Sequence, residues 1–404
     1  MLSGFRVLDC TDERGFLAGK ILGDLGADVI KLEPPQGDPT RLRGPFLHDQ
    51  EGPERSLTWL ALNTSKRGIT LDIWQTEGQR LFRQLVREYD VLLESYGPGT
   101  LSSLGLGYPE LSQADPRLVH CAITPFGQSG PYTEFSGCDL TVVAMGGNAA
   151  ATGHPDRPPI RCSMPTSHYH AGPEAVLGVI MALYAREDTG RGQFVDVSLQ
   201  ECQLMTTLGA SGQYTVTGRK PQRSGGHIGR TREIWRVKDG WVSFGLRGGP
   251  ARIPNLRAAV EYMAECGMAP DWLRQYDWSS YDLRKISDDE IQRLEAAFAA
   301  FFGSRSMREL YEEALRRRIL LAPCNGAREV LAHPQLRSRD FFVTLEYPEL
   351  GASIEHPDFF ARSSEHDLRI RSRAPRLGEH NLEVYRELGI GAAEVAALQK
   401  DGVV

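Results

Sequence analysis

The chain has 404 residues, a formal net charge of −6, 41% hydrophobic residues and 24% charged residues. This length is enough for two domains with buried cores, and the composition is ordinary for a soluble globular enzyme. The acidic balance and the lack of a long basic run disfavour a role in binding nucleic acid or an anionic membrane, because neither partner would find a positive patch.

The N-terminus enters a strand-like run directly, without the basic region and long apolar stretch of a signal peptide. No apolar run approaches the length that spans a bilayer. The seven cysteines are scattered and include no Cys-x-x-Cys pair, which is typical of reduced thiols. We therefore expect a cytoplasmic protein.

Short apolar runs alternate with amphipathic segments of helical length, which predicts a parallel sheet with crossover helices. The predicted strands are 5–9, 28–33, 90–94, 117–123 and 194–199. The predicted helices are 16–25, which stops at Gly26, then 76–88, and 173–186 with Pro173 in its first turn. This pattern predicts a doubly wound α/β domain.

The pattern changes after about residue 220. Asp239 and Gly240 predict a tight hairpin turn between strands at 233–237 and 241–246. Ser287 to Glu290 form a capping-box sequence that opens a helix, and further helices are predicted at 307–318 and 392–400. We expect three segments: a large domain from 1–224, a smaller α+β domain at 225–325, and a segment at 326–404 that returns to the large domain.

Three catalytic motifs are disfavoured by their spacing. The segment 15–20 is one residue short of a phosphate loop and lacks its Ser or Thr. The segment 11–19 does not supply the three glycines of a dinucleotide-binding fingerprint, and 127–130 lacks the spacing of a nucleophile elbow. ATP hydrolysis, nicotinamide-dependent oxidation and serine hydrolysis are therefore not expected.

His168 and His170 are two residues apart and would share one face of a strand. With Cys162 they offer an alternative metal site, but no further ligand or carboxylate is tied to them by spacing. We therefore expect histidines in an ordinary hydrogen-bonded pocket, and no metal.

Long, ordered motifs run through the chain. They are LGDLGADVIKLEPPQGDPTR at 22–41, Asn63 with KRGITLD at 66–72, TGRGQ at 189–193 with VDV at 195–197, PCN at 323–325, and LGEH at 377–380. From Leu2 to Val404 the chain resembles the class III CoA-transferases, the CaiB/BaiF family. The resemblance implies a Rossmann-like large domain that holds CoA, two protomers interlinked as rings, and CoA or acyl-CoA as substrate with no covalently bound cofactor.

His168 stands where this family carries its nucleophilic aspartate. In the family, that aspartate attacks the acyl thioester, forming a mixed anhydride and then an enzyme–CoA thioester. An imidazole forms neither aspartyl intermediate, so the usual mechanism is excluded at this residue. Related racemases place a histidine at Cys138 and an aspartate at His168, so the two-base racemase interpretation loses both bases.

The resemblance also implies a set of CoA-binding positions. They are Glu13, Lys31, Leu71, Trp74, Ser95, Tyr96, Gly97, Ser103 and Cys138. Glu13 replaces a neutral amide, and a buried carboxylate there is unfavourable unless Arg14 or another cation pairs with it. Ser95 replaces an asparagine, and Ser103 replaces an arginine that would meet a CoA phosphate. Lys31, Trp74 and Cys138 each have a structural role as the alternative.

Three functions remain open. The first is a subunit of a heteromeric CoA-transferase that lacks the nucleophile and pairs with a homologous chain that supplies the aspartate. The second is a self-sufficient enzyme that uses His168, His170 or Glu13 as acid or base on a CoA thioester. The third is a non-catalytic CoA-thioester binding protein.

We take the first as the prediction, because several site positions change together while the scaffold motifs persist. The segment 11–15, with the aspartate missing, resembles one subunit of a two-chain enzyme of anaerobic aromatic degradation. That resemblance makes succinyl-CoA the candidate donor and benzylsuccinate the candidate acceptor.

Overall fold

The structure is a computed structural model that describes residues 1–404. The chain forms two compact units. The first unit contains residues 1–149, 161–220 and 335–404, and the second contains residues 150–160 and 221–334. The chain therefore leaves the first unit and returns to it near its C-terminus.

A parallel sheet of six strands forms the centre of the first unit. The strands are β1 (Arg6–Cys10), β2 (Asp28–Glu33), β3 (Arg67–Thr70), β4 (Val91–Glu94), β5 (Val119–Thr124) and β6 (Phe194–Ser198). Their order is β3-β2-β1-β4-β5-β6, and every neighbouring pair is parallel. This is the doubly wound order of Rossmann-like domains, so the predicted α/β class is confirmed.

Periodicity did not predict β3, because it has only four residues and includes Gly68. This glycine allows a close approach of the C-terminal segment. A Cβ at this position would lie 2.9 Å from the ring atoms of Pro375. The short strand is thus specified by a contact with a residue more than 300 positions away in the chain.

Helices cover both faces of the sheet. Those up to residue 217 are α1 (Phe16–Asp24), α2 (Leu57–Leu62), α3 (Thr76–Arg87), α4 (Thr100–Ser103), α5 (Tyr108–Ala114), α6 (Asp139–Met145), α7 (Asn148–Ala151), α8 (Thr166–Thr189), α9 (Leu199–Met205) and α10 (Leu208–Thr217). Apolar residues of α1 and α8 pack in one hydrophobic cluster, and those of α3 pack in a second cluster. None of the helices combines the length and the hydrophobicity that a bilayer crossing requires.

The helix α8 begins at Thr166, well before the predicted start at Pro173. The predicted start was wrong because Pro173 lies inside the helix, where its missing N–H leaves the carbonyl of Tyr169 without a helical partner. A tertiary contact holds the first turn: Asp139 Oδ1 accepts hydrogen bonds from the backbone N–H of Ser167 at 3.0 Å and from its hydroxyl at 2.8 Å. His168 therefore lies in the first turn of a helix.

The second unit has its own small sheets and helices. They are β7 (His227–Ile228), β8 (Thr231–Arg232), β9 (Ile234–Arg236), β10 (Trp241–Phe244), β11 (Leu321–Pro323), α11 (Ile253–Glu265), α12 (Asp271–Arg274), α13 (Asp288–Gly303), α14 (Met307–Arg317) and α15 (Ala327–Leu331). The next helix, α16 (Pro334–Ser338), begins at the last residue of this unit and continues in the first unit. The hairpin of β9 and β10 was predicted and is present. Ser287 caps α13 by accepting from the backbone N–H of Glu290.

The C-terminal segment adds an antiparallel hairpin and two helices to the first unit. They are β12 (Phe342–Tyr347), β13 (Ala352–Pro357), α17 (Asn381–Glu387) and α18 (Ala392–Lys400). Asn381 Oδ1 accepts from the backbone N–H of Thr70 at 2.8 Å, and the hydroxyl of Tyr385 donates to the carbonyl of Thr70 at 2.7 Å. These bonds attach the chain terminus to the edge strand β3.

His356 on β13 makes the stability of this region depend on pH. Its side chain is buried beside the hydroxyl of Tyr347, 3.2 Å from Nε2. Burial, with a smaller effect of Lys20, lowers the pKa of His356 from 6.5 to about 4. The folded state thus resists protonation of His356. The free energy of unfolding is therefore unaffected above pH 6.5 and falls between pH 6.5 and 4, by on the order of 3 kcal/mol, as the unfolded state takes up the proton.

We therefore expect His356→Gln to flatten the loss of unfolding free energy over this pH window. Urea denaturation at a series of pH values measures the slope. The exposed histidine His366 provides the matched control, since His366→Gln should leave the slope unchanged. An identical slope in the His356→Gln protein would contradict the assignment.

Candidate functional site

A cavity of about 850 Å³ opens at the carboxyl ends of β1, β4 and β5. The loops after these three strands line it, together with the segment 133–140 and the first turn of α8. The strand order reverses between β1 and β4, since the connections after them leave in opposite directions. Ligands of doubly wound sheets bind at this switch point.

The loops after β1 and β4 are cross-linked by hydrogen bonds. The backbone N–H of Asp12 donates to the Ser95 hydroxyl at 2.8 Å, and the Arg14 guanidinium donates to the Ser95 carbonyl at 2.5 Å. Arg14 also donates to both carboxylate oxygens of Asp12, at 2.8, 3.0 and 2.6 Å. This network fixes the rim of the cavity on the sheet side.

Beneath this rim lies a buried charge network. Lys66 Nζ lies 2.8 Å from Asp9 Oδ2, and Lys31 Nζ lies 3.8 Å from Asp9 Oδ1. Asp9 Oδ1 also accepts from the backbone N–H and the hydroxyl of Thr11, at 3.0 and 2.6 Å. Asp9 therefore connects the end of β1 to the loop that lines the cavity.

Glu13 lines the cavity and forms an ion pair with Arg43. The sequence predicts that Arg14 or another cation pairs with the carboxylate of Glu13. The partner is Arg43 and not Arg14, because the Arg14 guanidinium already binds both carboxylate oxygens of Asp12. The side chain of Glu13 is 28% exposed, so this pair is only partly desolvated.

His168 lines the cavity from the first turn of α8, and only 7% of its surface is exposed. Burial lowers the pKa of His168, while the nearby carboxylates of Glu13, Asp139 and Asp12 act in the opposite direction. The net shift is downward from 6.5, so the imidazole is neutral at pH 7. A neutral imidazole has one ring nitrogen free to accept a proton or a hydrogen bond.

Cys138 lines the same cavity directly before α6. The backbone N–H of Thr141 lowers the pKa of the Cys138 thiol, and the thiol is exposed. Asp139, the next residue, bonds to Ser167, the residue before His168. This contact holds the starts of α6 and α8 side by side, so that Cys138 and His168 face one cavity.

Three arginines line the cavity and were not predicted as a group: Arg14, Arg43 and Arg161. Arg43 is the most exposed, with 59% of its side chain accessible, and Arg161 is 38% exposed. Only Arg14 was named from the sequence, as a possible partner of Glu13. The other two reach the cavity from loops that are distant in the chain, which only the fold brings together.

The structure brings four of the predicted site residues to this cavity: Glu13, Gly97, Cys138 and His168. Two others support its rim from below. Ser95 is buried and accepts from Asp12, and Tyr96 donates its backbone N–H to Glu94 Oε2 at 2.6 Å. Burial also raises the pKa of the Tyr96 hydroxyl well above 10.

The remaining predicted CoA-binding residues lie outside the cavity lining. Lys31 is 1% exposed and donates to the carbonyls of Asp9 and Leu32, at 3.3 and 3.2 Å, and to that of Thr11. Leu71 is buried in the hydrophobic cluster of α3. By contrast, Trp74 is 62% exposed. Ser103 is also exposed and donates to the carbonyl of Thr100, so a CoA contact of these residues stays a prediction.

The two histidines do not share one face, because 168 and 170 lie in a helix rather than a strand. Two residues in a helix are about 200° apart around its axis. His168 is buried in the cavity, whereas His170 is exposed. No group of three or more His, Cys, Asp or Glu side chains is placed to hold a metal ion.

Comparison with known protein families identifies the family of this chain. The model of CoA-transferase family III matches residues 2–381 of the chain. The chain belongs to CoA-transferase family III. This confirms the resemblance seen in the sequence motifs and supports a CoA-transferase role for the protein.

Individual family members match over nearly their whole length. The succinyl-CoA:(R)-benzylsuccinate CoA-transferase subunit BbsE of Thauera aromatica is 34% identical over 404 residues, which cover 100% of this chain and 98% of BbsE. The succinyl-CoA–L-malate CoA-transferase beta subunit of Chloroflexus aurantiacus is 30% identical over 413 residues, which cover 100% and 98%. The crystal structure of a CaiB/BaiF family protein from Brucella suis, 30% identical, superposes with a TM-score of 0.83, covering 96% of this chain and 99% of that one.

Proposed function

We propose that this family III chain is the subunit of a heteromeric CoA-transferase that lacks the nucleophile. A homologous partner chain supplies the catalytic aspartate, and the two chains interlink as rings. The observation that carries the proposal is His168, a buried and neutral imidazole at the position where the family resemblance places the aspartate. The complex moves CoA from an acyl-CoA donor to a carboxylic acid acceptor.

The chemistry of CoA transfer explains why the imidazole does not replace the aspartate. The aspartate route needs a carboxylate oxygen to form the anhydride and a carbonyl carbon that CoA attacks to form the enzyme thioester. An imidazole nitrogen offers an acyl acceptor but no carbon on which the enzyme can hold CoA. His168 therefore leaves this chain unable to carry CoA covalently at this position.

The cavity nevertheless contains groups that can bind an anion, although each of its three arginines is paired with a lining carboxylate. Arg43 and Arg161 present partly exposed guanidinium groups, which bind carboxylates and phosphates in a two-point geometry. The loop at Gly97 lets a ligand approach the backbone closely. A cavity of this kind suits an acyl-CoA or an acid that is bound without reacting.

The relatives support a heteromer and a substrate class. BbsE and the malate enzyme's beta subunit are both named as subunits of larger CoA-transferases. Both names also give succinyl-CoA as the donor. We extend these features to this chain, with succinyl-CoA as the candidate donor and benzylsuccinate as the candidate acceptor.

Native mass spectrometry of the protein purified from its own cells tests the proposal. We expect a complex that contains this chain and a second chain of similar mass, and we expect CoA transfer only from that complex. The chain produced alone serves as the control. A pure homodimer from the native cells that transfers CoA would overturn the proposal.

A self-sufficient enzyme with acid–base chemistry is the second candidate. The observation in its favour is the neutral His168 in a cavity that also contains the carboxylate of Glu13, which acts electrostatically on the imidazole. This function requires turnover of a CoA thioester by the isolated chain that is lost in His168→Ala. Turnover that survives His168→Ala would exclude this candidate.

A further inference from the structure

A second cavity, of about 270 Å³, lies between β4, β5, α5 and the start of β6. Three aromatic rings form one wall. The ring centroids of Tyr108 and Phe194 are 5.5 Å apart, and that of His120 lies 5.2 Å from Phe194 and 6.1 Å from Tyr108. The glycines 97, 99 and 107 form part of the rim.

His120 lines this cavity and is 98% buried, yet neither ring nitrogen has a hydrogen-bond partner in the protein. The buried amide nitrogen of Gln128, which also lines the cavity, has none either. Buried polar groups in native proteins are nearly always hydrogen-bonded, because an unpaired group costs the free energy of its lost hydration. The cavity therefore presents polar groups prepared for a ligand.

Glu94 gives the cavity its charge. Its side chain is 94% buried, and Oε2 accepts from the backbone N–H of Tyr96. Oε1 lies 3.8 Å from His120 Nε2, which is too long for a hydrogen bond, and Glu94 forms no ion pair with a lysine or arginine. The Arg14 guanidinium is close enough to interact with Glu94, but it is held by Asp12 and by the Ser95 carbonyl and makes no direct ion pair with Glu94.

The lining excludes anions and favours cations. Glu94 is the charged residue among the lining side chains, and no lysine or arginine is present there. The large cavity, in contrast, carries three arginines together with four carboxylates, those of Asp12, Glu13, Glu134 and Asp139. Carboxylates paired with aromatic rings are the chemistry that recognises organic ammonium groups, through charge pairing and contact with the ring faces.

We propose that this second cavity binds a small organic ammonium ion. Its ammonium group donates to Glu94 Oε1 and to a ring nitrogen of His120, and its carbon chain packs against Tyr108 and Phe194. The amide of Gln128 presents either its oxygen or its nitrogen to the ligand by a flip. The inference concerns a cavity that shares only Gly97 with the large one, and it does not rest on the proposed CoA transfer.

The test compares n-propylammonium chloride with propan-1-ol, a neutral molecule of similar shape, on the full chain at constant ionic strength. Isothermal titration calorimetry measures affinity, and nuclear magnetic resonance of protein labelled with ¹⁵N-histidine reports on His120. We expect saturable binding of the ammonium that shifts the His120 ring signals. We expect the alcohol to bind at least about tenfold more weakly.

Glu94→Gln is the variant of choice, because its amide oxygen still accepts from the Tyr96 N–H while the charge is removed. We expect it to weaken n-propylammonium binding at least about tenfold. The exposed Glu394→Gln provides a charge-matched control and should bind like the wild type. His120→Phe keeps an aromatic ring but removes the labelled imidazole. The signals that shift on binding should therefore be absent from its spectrum, which assigns them to His120.

Equal affinity for ammonium and alcohol, unchanged binding in Glu94→Gln, or no saturable binding would each overturn the proposal. The comparison of n-propylammonium with propan-1-ol uses the wild-type chain alone, so it tests the proposal even if a variant fails to fold.

Discussion

The His168→Asp variant, purified without a partner chain, will transfer CoA no faster than the wild-type chain. The new carboxylate would share the cavity with Glu13 and would lie near Asp12 and Asp139, the groups that already act on His168. Nearby negative charges raise the pKa of a new carboxyl group and oppose the oxyanion of thioester attack. The measurement is CoA transfer from succinyl-CoA to a carboxylic acid, followed by liquid chromatography.

The double variant His168→Asp with Glu13→Gln provides the comparison, because it restores a neutral amide beside the carboxylate. We expect its rate to exceed that of the single variant at least about tenfold. Ser95 and Ser103, which the resemblance predicts to differ from the family residues, are unchanged in this variant, so full activity is not expected. Rapid transfer by the single variant would show that the changes around His168 do not disable the site.

Asp9→Asn will lower the free energy of unfolding by about 3–5 kcal/mol. Burial alone would raise the pKa of the Asp9 carboxyl, but Lys66 and Lys31 outweigh it, and the pKa lies below its ordinary value. Burial lowers the pKa of Lys66 to about 8 even with Asp9 beside it. Removing the carboxylate leaves two buried ammonium groups without their counter-ion. Urea denaturation measures the loss.

Asp28→Asn is the matched control on the neighbouring strand. Asp28 pairs with Arg67 at 2.7 Å but is 39% exposed, and partly exposed pairs contribute about 1 kcal/mol or less. Adding Lys66→Met to Asp9→Asn should recover part of the lost stability, because it removes one of the unpaired charges. A loss below about 1 kcal/mol for Asp9→Asn would contradict the role of this network.

The predicted and observed elements differ where tertiary contacts outweigh local pattern. The strands β1, β2, β4, β5 and β6 follow from apolar runs bounded by turns, and the first four are buried enough for that pattern to be strong, whereas only the last two residues of β6 are buried. The strand β3 and the first two turns of α8 are not predicted by the local sequence pattern. Pro173 indicates a helix start by local rules, whereas the helix begins at Thr166, next to the two hydrogen bonds that Ser167 donates to Asp139.

The candidate site shows the same division. The resemblance named His168, Glu13, Gly97 and Cys138 as site residues, and the structure places all four around one cavity. It also placed Lys31 and Trp74 among the CoA-binding residues. In the structure, Lys31 lies in a buried charge network and Trp74 is exposed to solvent. Motif position does not determine this difference, because it depends on the direction of each side chain.

The sequence by itself determined the family and the doubly wound class, because these follow from ordered motifs and from periodicity along the chain; that His168 stands at the position of the family aspartate stays a prediction from the resemblance. Only the tertiary structure decided which cation pairs with Glu13, which arginines face the large cavity, and that Glu94 and His120 line a second one. These are contacts between residues distant in the chain. Their energies depend on burial and distance in space, and neither quantity is written in local sequence.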